Sequence, residues 1–218
     1  MLFKDYTLEK FTQELASKAP APGGGSTAAL VGALAASLNA MVYSLTIGKK
    51  SFDNLEEKHR NDMLKFNEEA LGLINTLMNF MEKDREDFLE LMVSYKLPKE
   101  TDEEIRERKK VIKENTIKAM ETPLNLAKEC IKFYENIYFA VKYGNKNLAS
   151  DAGVAAILLN AAIESAIINV KVNLNFLRQD LSIEEVNKYL KECNNLLEES
   201  FKNKINLVKE VENIIYPE

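Results

Sequence analysis

One acidic side chain, Asp84, lies on what its spacing predicts to be an otherwise apolar helix face. Phe88, Leu91 and Tyr95 follow it at intervals that bring all four residues to the same side of a helix. A carboxyl group among apolar side chains has a raised pKa because burial disfavours its charged form, and such a group can transfer protons as a general acid and base. Asp87, one step around the helix, is expected to face solvent. The alternative interpretation is a charged and exposed face, which is the usual outcome for a charge-rich run.

A glycine run, Gly23–Gly25, precedes Ser26 and a long apolar segment. Consecutive glycines are entropically costly, so they favour a site where backbone passes close to another group or where N–H groups at a helix start point at a ligand. Ser26 or Thr27 is predicted to cap the helix that follows. The alternative is a flexible hinge. A phosphate-binding P-loop is excluded because its G-x-x-x-x-G-K-[ST] spacing and preceding strand are absent.

Two further polar segments flank predicted apolar helices. Lys49 and Lys50 follow a predicted helix end, where they could complement the helix dipole or hold the carboxylates of an anionic ligand. Asn145, Ser150 and Asp151 open a second apolar helix, either as caps or as hydrogen-bonding groups for a heterocycle. Further along that helix, the amides at 169 and 173 share one face and must find partners.

The elements that position these residues are all predicted to be helices, because helix caps and helical spacing are frequent and sustained strand alternation is absent. Thr101–Glu104 and Ser182–Glu185 are capping boxes. Thr122-Pro123 is expected to start a new helix. The fold expected is all-α: a single domain over residues 1–218, an antiparallel helix bundle around two Ala-rich central helices. The predicted helices cover about 7–17, 26–48, 55–93, 101–121, 122–143, 148–177 and 182–214.

Composition narrows the class of protein. Apolar residues form 46% of 218 residues, enough for a sizeable core, and the net charge of -5 disfavours a nucleic-acid partner. Cys130 and Cys193 have neither disulfide-framework nor zinc spacing, which favours reduced thiols and a cytoplasmic location. No secretion signal is recognisable at the N-terminus. The apolar runs 27–47 and 152–170 approach membrane-span length, but Glu164 within the second makes a membrane partner the less favoured interpretation.

Taken in order, these segments resemble the cyclodeaminase/cyclohydrolase family, which includes the C-terminal domain of formiminotransferase-cyclodeaminase and stand-alone bacterial methenyltetrahydrofolate cyclohydrolases. The glycine run alone is a weak signal, whereas the ordered set is specific and covers nearly the whole chain. The matching segments are P-A-P-G-G-G-S, I-G-K-K-S-F, D-R-E-D-F, L-P-K-E-T, G-N-K-N-L-A-S-D-A-G-V-A-A and N-V-K-V-N-L.

The resemblance implies an all-helical homodimer that needs no metal and takes a tetrahydrofolate derivative as substrate. The chemistry would occur at the amidine carbon between N5 and N10. A cyclodeaminase closes 5-formiminotetrahydrofolate to 5,10-methenyltetrahydrofolate and releases ammonia, whereas a cyclohydrolase adds water to the methenyl carbon and opens the ring. Both reactions need a proton shuttled around a tetrahedral carbon. The absence of an attached formiminotransferase domain slightly favours the cyclohydrolase.

The resemblance also assigns roles to residues. Asp84 matches the acid of the family's D-x-x-A-F motif and would be the proton shuttle, although here Asp87 stands in place of the alanine. We expect Asp84 to face a cleft whose far side is formed by the glycine turn and the lysine pair. The binding loop would be Gly24, Gly25 and Ser26; Lys49 and Lys50 would hold the glutamate tail; the pterin contacts would be Asn145, Ser150, Asp151 and Asn169.

A rival hypothesis is a non-enzymatic helical scaffold that binds only protein partners. Capping boxes and apolar helix faces would serve it equally well. It has no use for the glycine run or for a carboxylate at position 84.

Overall fold

The computed structural model describes residues 1–217, and these residues form helices without any strand. The all-α prediction is therefore confirmed. Short 3₁₀ turns occur at Phe3–Asp5, Lys146–Leu148 and Leu177–Gln179. The α-helices are α1 (Leu8–Leu15), α2 (Gly24–Ser44), α3 (Lys50–Asp53), α4 (Glu57–Ser94), α5 (Asp102–Lys132), α6 (Tyr134–Tyr143), α7 (Ala149–Phe176) and α8 (Ile183–Ile215).

Helices α2 and α7 pack closely against each other in the middle of the bundle, with α4 against α2, and α5 and α8 against α7. They are antiparallel, since Asn169 near the end of α7 contacts Gly24 at the start of α2, and the backbone N–H of Asn145 donates to Thr46 beyond the other end. Many of their buried residues are alanine, and at Gly32 of α2 a β-carbon would lie 3.2 Å from a Leu77 methyl carbon. Small side chains let the backbones approach closely, which fixes where the helix ends lie.

Both capping boxes occur as predicted and start the two long outer helices. In each, the hydroxyl accepts from the backbone N–H three residues on, and the glutamate accepts from the backbone N–H of the capping residue. These contacts satisfy N–H groups that have no partner within the helix.

Three predicted helix boundaries are wrong. Helix α5 continues through Thr122 and Pro123 instead of restarting there, so a proline lies inside a helix. Helix α2 begins at Gly24 with Gly23 as its N-cap and has no side-chain cap; the hydroxyl of Thr27 donates back to the Gly23 carbonyl at 2.8 Å. The same helix ends at Ser44 rather than at residue 48, and the four residues of turn that follow it end at Gly48, which has a φ of +73°.

Two helical segments, Gly24–Ser44 and Lys146–Gln179, are long and apolar enough to cross a membrane. In each, more than half of the most apolar stretch is buried within the bundle, at 61% and 56%. This burial is the pattern of core helices, which pass the same length and composition test.

Candidate active site

The carboxylate of Asp84 projects from α4 towards the first turn of α2. Its Oδ2 atom accepts a hydrogen bond of 2.8 Å from the hydroxyl of Ser26, the third residue of that helix. At Gly25 a β-carbon would overlap Oδ1 of Asp84. A residue without a side chain is therefore required here by close approach, because the acid lies directly against the helix backbone.

Two opposing effects act on the protonation of Asp84. Burial raises the pKa of Asp84, while hydrogen bonds from the hydroxyl and the backbone N–H of Ser26 lower it; the nearby charge of Asp87 raises it further. The burial effect is the largest, so the pKa lies above the usual range for an aspartate. A carboxyl group whose pKa is raised in this way is suited to accept and return a proton during a reaction.

A cavity of about 290 Å³ opens beside Asp84, at the lower end of the range for small-molecule sites (~300–1,000 Å³). The segment before α2, the acid-bearing part of α4, one residue of α5 and the last turns of α7 form its walls. The lining residues are Pro20, Ala21, Gly23, Gly24, Gly25, Asp84, Arg85, Phe88, Ala119, Asn169, Val172 and Asn173.

Two asparagines of α7, Asn169 and Asn173, face this cavity one helical turn apart. Nδ2 of Asn169 donates to the Ser165 carbonyl at 2.8 Å, and Nδ2 of Asn173 donates to the carbonyls of Ala119 and Asn169 at 2.9 and 3.2 Å. A β-carbon at Gly24 would lie 3.2 Å from the Asn169 amide, so the loop and this amide are in close contact. The site thus combines an acid, a glycine turn and amide groups.

Asp87 was expected to face solvent, and this prediction is wrong. Its side chain is fully buried between α4 and α5, where it forms an ion pair of 2.7 Å with Lys83 and accepts a hydrogen bond of 2.5 Å from Thr122. The buried stripe of α4 passes through Asp87 and Leu91, and Asp84 lies at its edge. The spacing gave the wrong centre for this stripe because α5 covers the side of α4 that carries Asp87.

Five of the predicted site residues lie at the other end of the bundle. Lys49 and Lys50 are exposed after α2. Asn145 caps the 3₁₀ turn before α7, and Ser150 and Asp151 occupy the first turn of α7. A helix of the length of α2, 21 residues, spans about 30 Å, so within one chain these residues do not reach the Asp84 cavity. Of the far side predicted for the cleft at Asp84, the glycine turn is therefore present within one chain, whereas the lysine pair is not.

Sequence reasoning missed several cavity residues. Asn173 was singled out as a buried amide but given no role, and Phe88 was placed on the face of Asp84 without a role. Arg85 and the Pro20-Ala21 segment were not considered as part of a site. These residues could have been identified from their position next to recognised motifs, because Arg85 adjoins Asp84 and Pro20-Ala21 leads into the glycine run.

Among residues 1–217, no three His, Cys, Asp or Glu side chains are grouped so that they could hold a metal ion. The predicted independence from metals remains a prediction.

The fold and the cavity define a class of protein: an all-helical bundle with one partly buried carboxyl group set against a glycine-rich helix start. Comparison of sequences assigns the family. The profile of the family described as Formiminotransferase-cyclodeaminase matches residues 7–193, and the chain belongs to that family.

Individual relatives agree with this assignment. A methenyltetrahydrofolate cyclohydrolase of Methylorubrum extorquens is 40% identical over 194 residues, which cover 89% of this chain and 90% of that protein. A formimidoyltransferase-cyclodeaminase of Rattus norvegicus is 32% identical over 177 residues, but the matched part spans only 32% of its length. The crystal structure of a formiminotetrahydrofolate cyclodeaminase of Thermotoga maritima superposes with a TM-score of 0.74 at 26% identity, covering 97% of this chain and 96% of that chain.

Proposed function

We propose that this chain is a folate one-carbon enzyme that hydrolyses 5,10-methenyltetrahydrofolate to 10-formyltetrahydrofolate. The observation that carries the proposal is the placement of Asp84 in a cavity against the first turn of α2. The 40% identity to a cyclohydrolase of nearly the same extent supports this reaction over its alternatives.

Asp84 is the proton carrier of the proposed reaction. Water adds to the cationic methenyl carbon and gives up a proton to the carboxylate, which leaves a neutral tetrahedral carbon bonded to both nitrogens. The carboxyl group then returns that proton to N5, the bond from carbon to N5 breaks, and the hydroxyl on carbon becomes the formyl carbonyl as its proton leaves to solvent. One water is consumed and one proton is released overall. A raised pKa suits a group that must take and return a proton in one cycle.

The size of the cavity limits how much of the substrate one chain can hold. At about 290 Å³ it suits the fused ring and the one-carbon bridge, but not the whole folate with its glutamate tail. The tail must therefore extend outside this cavity, where cations are needed to bind its carboxylates.

A homodimer would supply those cations. Helix α2 and the residue that follows it carry an outward-facing apolar stripe at helical spacing, with Leu34, Met41 and Leu45 between 37% and 48% exposed. Helix α7 carries Ile157, Ile168 and Val172, which are between 49% and 64% exposed. Large exposed apolar faces are typical of subunit contacts, and two-fold symmetry brings the same face of each chain together. If the two α2 helices pair antiparallel, the end of one helix lies beside the start of the other. In that dimer the partner subunit's Lys49 and Lys50 approach the glycine turn of the first chain.

A second candidate activity is that of a 5-formiminotetrahydrofolate cyclodeaminase, favoured by the structural similarity to the Thermotoga maritima protein. In this reaction N10 attacks the carbon of the protonated formimino group, and its C=N double bond becomes a single bond. Asp84 then carries the proton of N10 to the resulting amino group, the bond from carbon to that nitrogen breaks, and ammonia leaves the methenyl cation. The same acid and the same cavity serve both reactions.

Spectrophotometry with the purified protein separates the two activities. A cyclohydrolase bleaches the absorbance of 5,10-methenyltetrahydrofolate faster than buffer does. A cyclodeaminase given 5-formiminotetrahydrofolate builds that absorbance and releases ammonia in equal amount. If neither change exceeds the rate in buffer, the proposed function is wrong and the scaffold hypothesis gains support.

A further inference from the structure

The proline inside α5 leaves one carbonyl of that helix without its usual partner. In an α-helix the N–H of residue 123 would donate to the carbonyl of Ala119, but Pro123 has no N–H, and its ring pushes that carbonyl away from the helix axis. The carbonyl of Ala119 instead accepts a hydrogen bond of 2.9 Å from Nδ2 of Asn173 on α7. The proline thus creates an acceptor next to the cavity.

This acceptor fixes the orientation of the Asn173 amide. Nδ2 carries two hydrogens, and both are used: one bonds Ala119, and the other bonds the Asn169 carbonyl at 3.2 Å. Because both partners are carbonyls, the amide cannot be turned over without losing both bonds. Among residues 1–217, no donor contacts Oδ1 of Asn173.

The residue with this free oxygen lines the cavity of the proposed active site. Asn173 lines the same cavity as Asp84, and Asn169, one turn earlier on α7, uses its own Nδ2 on the Ser165 carbonyl. The side chain of Asn173 therefore has only its oxygen, an acceptor, left for a ligand, and that oxygen suits a ligand with an N–H donor. A reduced pteridine ring has such donors on its pyrimidine half, on its amino group and at N8.

We propose that Asn173 is a substrate-binding residue whose Oδ1 accepts a hydrogen bond from a pteridine N–H, and that Pro123 is the positioning residue that holds this amide in place. The inference rests on the proposed function and extends it to the residues that recognise the ring. It gives a reason for the presence of a helix-breaking residue inside α5.

The first test is the kinetics of Asn173→Leu, which keeps the size of the side chain and removes its oxygen. We expect KM for 5,10-methenyltetrahydrofolate to rise by about 10- to 100-fold while kcat changes much less, because a uniform binding contact is lost. Asn175→Leu, on an exposed position of the same helix, is the matched control and should leave KM unchanged.

The second test is Pro123→Ala, which restores the helix N–H and lets the Ala119 carbonyl return to it. Alanine is the better helix former, so the melting temperature should stay the same or rise while KM increases several-fold. This result cannot come from a loss of folding. The double variant should be no weaker in binding than Asn173→Leu alone, because both changes act through one contact.

The outcomes distinguish this inference from the function on which it rests. The inference is overturned if KM is unchanged in both single variants, or if their effects on KM add in the double variant. The proposed function still stands in that case, provided that the wild-type protein turns over the substrate. Wild-type protein without turnover of methenyl or formimino substrate would overturn both.

Discussion

At the scale of single residues, the central feature is Asp84, whose pKa is raised by burial and lowered by hydrogen bonds. Asp84 is partly buried, which disfavours its charge, and yet it accepts a hydrogen bond from Ser26 at the positive end of α2, which favours it. Burial has the larger effect. The ionised form of Asp84 is therefore less favourable in the folded protein than in water, and it destabilises the fold. The same property suits proton transfer, which is a common trade-off between stability and activity.

Replacing Asp84 with asparagine should separate these two contributions. We expect turnover to fall by about 10²- to 10⁴-fold because the proton carrier is lost. The free energy of unfolding should rise by about 1 kcal/mol at neutral pH. A carboxyl group whose pKa is raised in the folded state contributes stability below its unfolded pKa, and this contribution is lost as the pH rises through the folded pKa. The stability that the variant gains over the wild type should therefore vanish in acid.

Chemical denaturation at neutral and acidic pH, together with initial rates, measures both effects. Unchanged turnover in a folded Asp84→Asn protein would reject the assignment of Asp84 as the proton carrier.

Asp87 gives a second prediction at this scale. Its buried charge raises the pKa of Asp84, alongside the larger effect of burial. Replacing Asp87 with alanine, the residue of the related motif, should lower the pKa of Asp84 and shift the acidic limb of the pH profile of kcat/KM to lower pH. The other charged groups near this part of α4, Lys83 and Arg85, remain in place. Glu86→Ala removes an equal charge from an exposed position and should leave the profile unchanged.

At the scale of elements, the site exists because the start of α2 lies directly against α4. Buried alanines and glycines along α2 bring its backbone close to its neighbours, and the glycine run continues that close approach to the end of the helix. The N-cap is itself a glycine, so the first turn has no side-chain cap and its N–H groups remain available to a carboxylate.

Gly25→Ala tests this contact between elements. The new methyl group would overlap Oδ1 of Asp84 and displace the carboxylate, which is the mobile partner. Because alanine favours helix, the protein should fold, while kcat should fall by about 100-fold through misplacement of the acid. Gly72→Ala in α4 is the matched control, since a β-carbon there meets nothing within 4 Å. Its kcat should be unchanged, and equal kcat in both variants would contradict the proposed contact.

At the scale of the whole molecule, the predicted site residues form two groups at opposite ends of α2. One group surrounds Asp84, and the other contains the lysine pair and the polar start of α7. An antiparallel pairing of two chains through their exposed apolar faces would join the first group of one chain to the second group of its partner.

Complementation between two inactive proteins tests this arrangement. Asp84→Asn lacks the acid, and a protein carrying both Lys49→Gln and Lys50→Gln lacks the tail contacts, so each should be weak at low substrate concentration. Co-expression should restore about a quarter of wild-type activity, because half of the dimers are mixed and each has one intact site. Sedimentation should show a dimer throughout. If mixed dimers form without recovery, the lysines and the acid do not act across the subunit interface.

The sequence by itself determined which segments are helices and where most of them start. Caps such as Thr101 and Ser182 depend on neighbours three residues away, so local pattern is sufficient to locate them. Asp84 and the glycine run could be recognised for a similar reason, because aspartate and glycine are unfavourable within a helix and so indicate another role. The family motifs, read in order, then supplied the reaction.

Tertiary structure decided what those local patterns could not. The burial of Asp87 depends on α5 covering one side of α4, and the Ala119 carbonyl that Pro123 leaves without a helix donor finds its partner in Asn173 of α7. The separation of the lysine pair from Asp84 depends on the antiparallel packing of α2 and α7. Each is a contact between residues distant in the chain, and helical spacing carries information only about residues within a few turns of one another.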